Sequence, residues 1–255
     1  MEAMKLTATL SVEVRRKHLT ELLRDTGFLT YDHASELLEV HPMTIRRDLL
    51  VLESDGVARR VRGGVVFVGA EDFRQRQGRN LQAKRKIAQK LLSLVRESTS
   101  IAIDGSTTIF QFAEILRDVE RLSVVTNGLA AFEEIKGRQG IRAFLSGGES
   151  EEQNVSLVGP IAVAAIRGFA YDTCFMSAMS LDVVGGSSES TVAEVEIKRA
   201  MAGASRKVVL AVDSTKVGAK AMVRALPLSS IDVIVTELDP DDPRLAELRA
   251  HAEVL

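Results

Sequence analysis

A single cysteine, Cys174, in 255 residues excludes an intramolecular disulfide. It also excludes a Cys2His2 zinc site, which needs a second thiolate. A lone thiol fits a reducing compartment, and a cytoplasmic chain is expected. No apolar run approaches the roughly 18 residues of a membrane span. No signal peptide is expected either: Glu2 and Glu13 flank the short apolar stretch near the N-terminus, and no small-residue cleavage pattern follows. Charge of one sign is missing too. The 33 Lys and Arg against 35 Asp and Glu leave a net of −2, so global charge announces no nucleic-acid partner. Internal repeats and low-complexity segments are absent. Neither GxGxxG nor the P-loop pattern GxxxxGK occurs, which argues against dinucleotide and P-loop chemistry.

What is present is 45% hydrophobic and 27% charged, the balance of a globular chain long enough for one or two domains. Two textures meet near residue 70. Three helical patterns follow one another at 12–25, 31–39 and 42–53. Pro42 stands at the start of the third, where a missing N–H costs nothing, and Gly56 just past its end. Next comes VARRVRGGVVFV (57–68), two β-prone runs about Gly63-Gly64 that predict a hairpin. Three short helices and a basic hairpin describe a winged helix-turn-helix over 12–69. Residues 70–83 are polar and unpatterned and are expected to be a linker.

From 84 to 255 apolar strand-like runs alternate with helical patterns. The runs are SIAID (100–104), LSVVTN (122–127), RAFLSG (142–147), TCFMSA (173–178), VVLAVD (208–213) and VIVTE (233–237). Helical patterns lie near 84–96, 107–116, 128–136, 159–168, 191–204 and 243–252. This alternation predicts an α/β domain with a mainly parallel sheet.

The stretch MTIRRDL (43–49) carries the most function-like residues of the first third. On a helix, Ile45 and Leu49 share the core face, leaving Thr44, Arg46 and Arg47 free to meet DNA. A recognition helix puts its first turns into the major groove, where Arg donates to guanine and Thr touches phosphate or a thymine methyl. Arg59, Arg60 and Arg62 in the wing would add phosphate contacts. The alternative is a solvated face. Residues 1–69 hold ten basic and ten acidic residues, but 56–69 holds three Arg and no acid. Arg47 pairing with Asp48 or Glu53 in a structural role is a further alternative.

Residues 15–69 resemble the N-terminal domain of the DeoR-type family of bacterial transcriptional regulators. The matching text is TIRRDLLVLESDGVARRVRGGV, which runs recognition helix, turn and wing in order. One departure is His41-Pro42, where the family usually carries Ser; His41 could take over the helix cap or meet a DNA phosphate, but reads first as an exposed turn residue.

In the second part, Asp104-Gly105-Ser106-Thr107-Thr108 ends a strand and opens a helix. Free N–H groups at a helix N-terminus, with hydroxyls, form an anion site, although a simple cap is the commoner meaning of such a string. Thr126-Asn127, Gly147-Gly148 and Asp213-Ser214-Thr215-Lys216 end other strands. In open parallel sheets ligands sit outside these carboxyl ends, so one shared pocket is expected, with Lys216 as its mobile cation. Glu194 and Lys198, four apart, read as a surface ion pair on a helix, with a pocket-facing role as the alternative. Cys174 reads as a buried small apolar residue.

Residues 84–237 resemble the same family's C-terminal sugar-phosphate sensor domain, through IDGSTT (103–108), VVTNGL (124–129), LSGG (145–148), AEVEIKRAM (193–201) and VDSTK (212–216). That domain is related to ribose-5-phosphate isomerase. The resemblance implies a sugar-phosphate pocket built from Asp104, Gly105, Ser106, Thr107, Thr108 and Lys216, to which the strand ends Thr126, Asn127, Gly147 and Gly148 are expected to contribute. It implies a repressor that binds a double-stranded DNA operator, senses a small phosphorylated sugar or related effector, and forms a homo-oligomer, a dimer or tetramer. No cofactor, metal, membrane partner or catalytic residue is expected. The rival is an isomerase-like enzyme with an appended DNA-binding domain, which needs a carboxylate base. Where the family usually reads GADGID, this chain reads Ser177-Ala178-Met179-Ser180-Leu181-Asp182, so Met179 replaces the first acid and Asp182 reads as a turn residue.

Overall fold

Leucines at helical spacing make the first core. In the computed structural model, which describes residues 11–26, 28–54, 57–61, 63–67, 73–95, 98–151, 154–219 and 221–255, helices α1 (Val12–Thr26), α2 (Tyr31–Leu38) and α3 (Pro42–Ser54) bury Leu19, Leu23, Ala34, Ile45, Leu49 and Leu52 against one another. Strands β1 (Phe28–Thr30), β2 (Ala58–Val61) and β3 (Gly64–Phe67) form an antiparallel sheet in the order β1-β3-β2. The β2–β3 hairpin is the predicted wing. Gly63 turns it at φ 93°, and a Cβ on Gly64 would stand 2.4 Å from the Leu29 carbonyl oxygen, so the β1–β3 approach requires glycine there. Gly56 and Arg62 lie outside the described residues.

The chain divides into two compact units, Met1–Glu71 and Asp72–Leu255. The linker expected at 70–83 is corrected by the structure: α4 (Phe73–Gly78) and the start of α5 (Leu81–Ser93) occupy it and belong to the second unit. The first of these helices buries one apolar residue. Phe73 is buried and meets the Phe110 ring edge-on, centroids 5.7 Å apart at 84°. A single anchor has no periodicity to detect.

Seven strands make the second unit's main sheet: β4 (Ser100–Ile103), β5 (Leu122–Thr126), β6 (Ile141–Leu145), β9 (Tyr171–Met176), β12 (Ser205–Ala211), β14 (Val233–Val235) and β15 (Glu253–Val254). Their order is β15-β14-β12-β9-β4-β5-β6 and every neighbouring pair is parallel. Parallel strands need crossovers, and helices supply them on both faces. Alternate residues explain the two cores: Ile101 and Ile103 point to the layer of α5, α6 (Thr107–Ile115) and α7 (Leu129–Ile135), while Ala102 points to that of α8 (Gly159–Arg167) and α9 (Val192–Gly203). Two small antiparallel sheets decorate the carboxyl ends: β7 (Glu149–Glu151) with β8 (Ser156–Val158), and β10 (Ser180–Asp182), β11 (Gly186–Glu189) and β13 (Val223–Arg224).

The helix expected over 243–252 is a second correction. Residues Pro243–Leu245 and Leu248–Ala250 form single 3-10 turns, and the chain then enters β15 beside β14. Only Leu245 and Leu248 are buried there, too few apolar positions to seat a longer helix.

Candidate functional site

In the first unit the site is the exposed side of α3. Ile45, Leu49 and Leu52 are buried, which turns Arg46 and Arg47 outward and leaves Thr44 half-buried. Asp48, also buried, accepts from Arg15 Nε at 2.6 Å and Arg16 Nε at 3.0 Å, tying α1 to α3. Arg47 therefore does not find its structural partner in Asp48. Nor is Glu53 its partner: Glu53 pairs with Arg60 Nε at 2.6 Å and accepts from the Arg60 backbone N–H at 3.0 Å. Arg60 thus reaches back from the wing to α3 instead of standing free, while Arg59 is exposed. The Arg46 guanidinium lies 5.8 Å from the Tyr31 ring centroid, a cation–π contact that limits where it points. His41 caps the helix: its Nδ1 accepts from the Met43 N–H at 3.2 Å, and its carbonyl accepts from Thr44 at 2.8 Å.

In the second unit the chain runs from β4 to β5 and β6 on one side, then crosses to β9 on the other. The crevice beyond the carboxyl ends of β4 and β9 is the topological switch point. Asp104, directly after β4, is buried there. Its Oδ1 accepts from Ser106 N–H at 3.0 Å, its Oδ2 from Ser177 N–H at 2.9 Å, and Lys198 Nζ makes a short ion pair with Oδ2. These bonds make Asp104 an organiser of the loop. Ser106 caps α6, accepting from Ile109 N–H at 3.2 Å, and Thr107 and Thr108 are buried in its first turn. Gly105 and Gly128 stand back to back, since a Cβ on Gly128 would lie 2.6 Å from Gly105 Cα. Only glycines allow the β4 and β5 loops so close.

Thr126 Oγ1 accepts from Gly128 N–H at 3.0 Å, and Asn127 Nδ2 donates to the Leu157 carbonyl at 3.1 Å. Asn127 Oδ1 and Thr108 Oγ1 are buried with no hydrogen-bond partner in the structure. Such groups cost free energy unless something else satisfies them. Gly147 and Gly148 turn after β6 at φ 69° and 119°. Lys216, on a 3-10 turn after β12, brings Nζ to 3.5 Å from Ser177 Oγ. Burial holds its pKa below the ordinary lysine value, against the pull of Asp213 and Glu189, and Lys198 and Arg76 push the same way as burial.

Lys198 and Glu194, read first as a surface ion pair with a pocket-facing role as the alternative, belong to this region, and Glu189, Asn80 and Arg76 join it without having been read from sequence. Lys198 is 2% exposed and lies between Asp104 and Glu189, 3.2 Å from Glu189 Oε1. Burial alone would lower its pKa, but Asp104, Glu189 and Glu194 outweigh it and hold the ammonium charged. Glu194 accepts from Asn154 Nδ2 and Ser156 Oγ, both at 3.1 Å, and burial raises its pKa above the usual carboxylate value. The surface ion pair expected of Glu194 and Lys198 is thus corrected to two buried groups with different partners. From the former linker, Asn80 donates to Asp213 at 3.2 Å and Arg76 Nη2 to Asn154. Helical spacing placed Glu194 and Lys198 on one face; it could not say that this face turns inward. Asp182 serves the turn it was expected in, accepting from Val184 N–H at 2.9 Å and Gly185 N–H at 2.7 Å. Met179 is 40% exposed.

Two family models match the chain, one described as the DeoR-like helix-turn-helix domain at residues 15–71 and one as the DeoR C terminal sensor domain at 79–238. Among similar proteins, the HTH-type transcriptional regulator GolR of Listeria innocua is 31% identical over 227 residues, 88% of this chain and 89% of the relative. The transcriptional repressor AccR of Agrobacterium fabrum is 31% identical over 232 residues, covering 89% and 90%. The glycerol-3-phosphate regulon repressor of Escherichia coli is 28% identical over 240 residues, covering 93% and 95%. Among solved structures, ribose 5-phosphate isomerase A from Neisseria gonorrhoeae aligns over 55% of this chain and 53% of its own, at 18% identity and a TM-score of 0.35.

Proposed function

Starting from the chain's membership of the DeoR family of helix-turn-helix transcriptional regulators, we propose that it represses carbohydrate-metabolism genes under the control of a small phosphorylated sugar or related metabolite. Relatives named as repressors support the sign of the regulation. In this reading α3 enters the major groove, Arg46 and Arg47 read bases, and Thr44, Arg59, Arg60 and Arg62 contact the backbone. Arg60 would have to share its charge with Glu53 to do so.

One observation carries the effector reading: buried polar atoms without protein partners, Asn127 Oδ1 and Thr108 Oγ1, at the same carboxyl edge of the sheet that carries a lysine whose charge burial disfavours. An anion at the α6 N-terminus supplies what Lys216 lacks, and sugar hydroxyls donate to Asn127. Ser106, Thr107 and Thr108 offer N–H groups and hydroxyls, Thr126 and Gly105 shape the floor, and Gly147-Gly148 the rim. Asp104 acts from behind, by holding the loop and Lys198. The effector acts by binding one of two arrangements of the protein better than the other. The second unit carries the oligomer contact, since one winged helix touches too little DNA for strong specificity.

Operator binding measured with and without a panel of sugar phosphates tests the proposal. Lys216→Ala should keep operator affinity and lose effector affinity about tenfold or more, on the order of 1.4 kcal/mol. Loss of operator binding without effector would make the lysine structural. A second reading, a sugar-phosphate isomerase, is favoured by the raised Glu194 carboxyl near Asp104 and Lys198. Turnover of pentose or hexose phosphates by the purified chain would establish it.

A further inference from the structure

The first unit carries no net charge, ten basic against ten acidic residues over 1–69, which is little for a domain that must hold a polyanion. A cluster of cations stands just beyond it in the chain. Phe73–Ser93 holds seven Lys or Arg and no Asp or Glu, which leaves 26 of the 33 Lys and Arg for all other residues against the full 35 Asp and Glu. Three of the seven are engaged within the second unit. Arg76 donates to Asn154, Lys84 to the Arg76 carbonyl, and Lys90 Nζ to the carbonyls of Thr236 and Leu238 at 2.9 and 3.0 Å. The other four, Arg74, Arg79, Arg85 and Lys86, are exposed. Helical spacing sorts those on α5. Lys84, Ile87, Ala88 and Leu91 face inward, so Gln82, Arg85, Lys86 and Gln89 share the opposite, exposed face. The acids beside this face are engaged elsewhere. Glu114, whose carboxyl feels Arg85, accepts from Gln111, and Glu237, in the groove next to Arg85 and Lys86, accepts the Ser214 N–H with both oxygens at 3.1 and 3.0 Å. A helix face that only meets water mixes both signs of charge, whereas this one carries a single sign.

We propose that the α4–α5 segment is a second DNA contact, in which Arg85 and Lys86, flanked by Gln82 and Gln89 and preceded by Arg74 and Arg79, bind the phosphate backbone of the duplex that the winged helix holds. The proposal rests on the reading that the first unit binds duplex DNA, and it goes beyond that reading by placing cations outside the winged helix. Connectivity favours DNA over any other polyanion. Only residues 68–72 separate β3 from α4, a stretch that spans at most about 20 Å, less than one turn of duplex. Guanidinium and ammonium groups meet phosphate oxygens directly, and the glutamine amides donate to them as well. Such contacts raise affinity for any sequence and release counterions as they form.

The test uses the full chain and two duplexes with long flanks: one enriched from a random pool by the wild-type chain, and a scrambled duplex of the same length. Arg85→Gln combined with Lys86→Gln should melt with the wild type, since both side chains are exposed, and bind both duplexes roughly tenfold more weakly. The slope of log affinity against log salt should flatten by about two, and Arg85→Lys combined with Lys86→Arg should restore both quantities. A control pair, Arg117→Gln with Arg206→Gln, removes the same charge from exposed positions elsewhere in the second unit and should stay within about twofold of the wild type. Unchanged affinity and slope in the Arg85 and Lys86 pair would overturn the proposal and leave this face to an acidic protein partner. An equal loss in the control pair would overturn it too, by making the effect one of net charge alone. A loss confined to the enriched duplex would replace the backbone contact with a base contact. Arg47→Ala, titrated alongside, reports on α3 separately: if it binds like the wild type while the Arg85 and Lys86 pair loses affinity, the recognition-helix reading falls and the second contact stands. Acetic anhydride gives an independent check. Lys86 should acetylate more slowly once duplex is added, as read by mass spectrometry, and an unchanged rate would overturn the proposal.

Discussion

Burial assigns different chemistry to residues that sequence alone cannot separate. Cys174 sits mid-strand in β9 with no exposure, and burial pushes its thiol up to about 12. A thiol in that state supplies almost no thiolate near neutrality. The native chain should resist iodoacetamide at mildly alkaline pH and react with one equivalent after denaturation, as read by mass spectrometry. Rapid native labelling would mean that β9 opens. Glu194 shows the same force acting on a carboxyl. Burial raises its pKa from 4.5, with Glu189 and Asp104 pushing the same way against Lys198 and Ser156. A carboxyl whose pKa rises on folding contributes stability that is fully present below the unfolded value and is lost as pH rises through the folded one. Glu194→Gln keeps the shape without the charge. It should match the wild type below the unfolded carboxyl value and melt higher than the wild type at neutral pH. Calorimetry across that range checks it, and a pH-independent difference would contradict the assignment.

At the scale of elements, legibility followed apolar content. Strands β4, β5, β9, β12 and β14 each carry a run of apolar residues buried on both faces, and the sequence pattern places all five. Among the strands it missed, β1 (FLT) is only three residues long and two others are polar. Glu149–Glu151 reads ESE and Gly186–Glu189 reads GSSE, residue types depleted from strands, and tertiary pairing forms them. Helix α4 was missed because Phe73 is its one buried apolar residue. The candidate pocket divided the same way. Its loops were legible as small polar residues at strand ends, but the charge network beneath them was not. Lys198 comes from α9, and its partners Asp104 and Glu189 from loop and strand, 94 and 9 positions away. No local pattern records such a meeting. The network also carries stability. Lys198→Met would leave Asp104 and Glu189 buried without their cation, a loss of about 3–5 kcal/mol. Urea denaturation should show it, and adding Asp104→Asn to the same chain should recover part of it. A single mutant as stable as the wild type would mean that water already reaches these carboxylates.

For the whole molecule, the corrected boundary decides where the chain can be divided. A cut at residue 80 follows from reading 70–83 as linker, whereas the structure places α4 with the second unit from Asp72 onward. A fragment of 80–255 would lose Phe73 from its place on Phe110 and expose a ring that is otherwise buried. It would also lose Arg76, which donates to Asn154, itself a donor to Glu194. Burying a phenylalanine contributes about 1.5–3 kcal/mol, and an aromatic pair about 0.5–1.5 more. A fragment of 72–255 should therefore unfold in one transition and exceed 80–255 by roughly 2–4 kcal/mol in urea. If the second unit carries the oligomer contact, the longer fragment should also exceed a monomer in light scattering. Equal stability of the two fragments would return 72–79 to the status of a linker. A monomeric 72–255 would leave the second unit without the oligomer contact proposed for it. Both outcomes are read from the same two preparations, so the boundary and the assembly are tested separately.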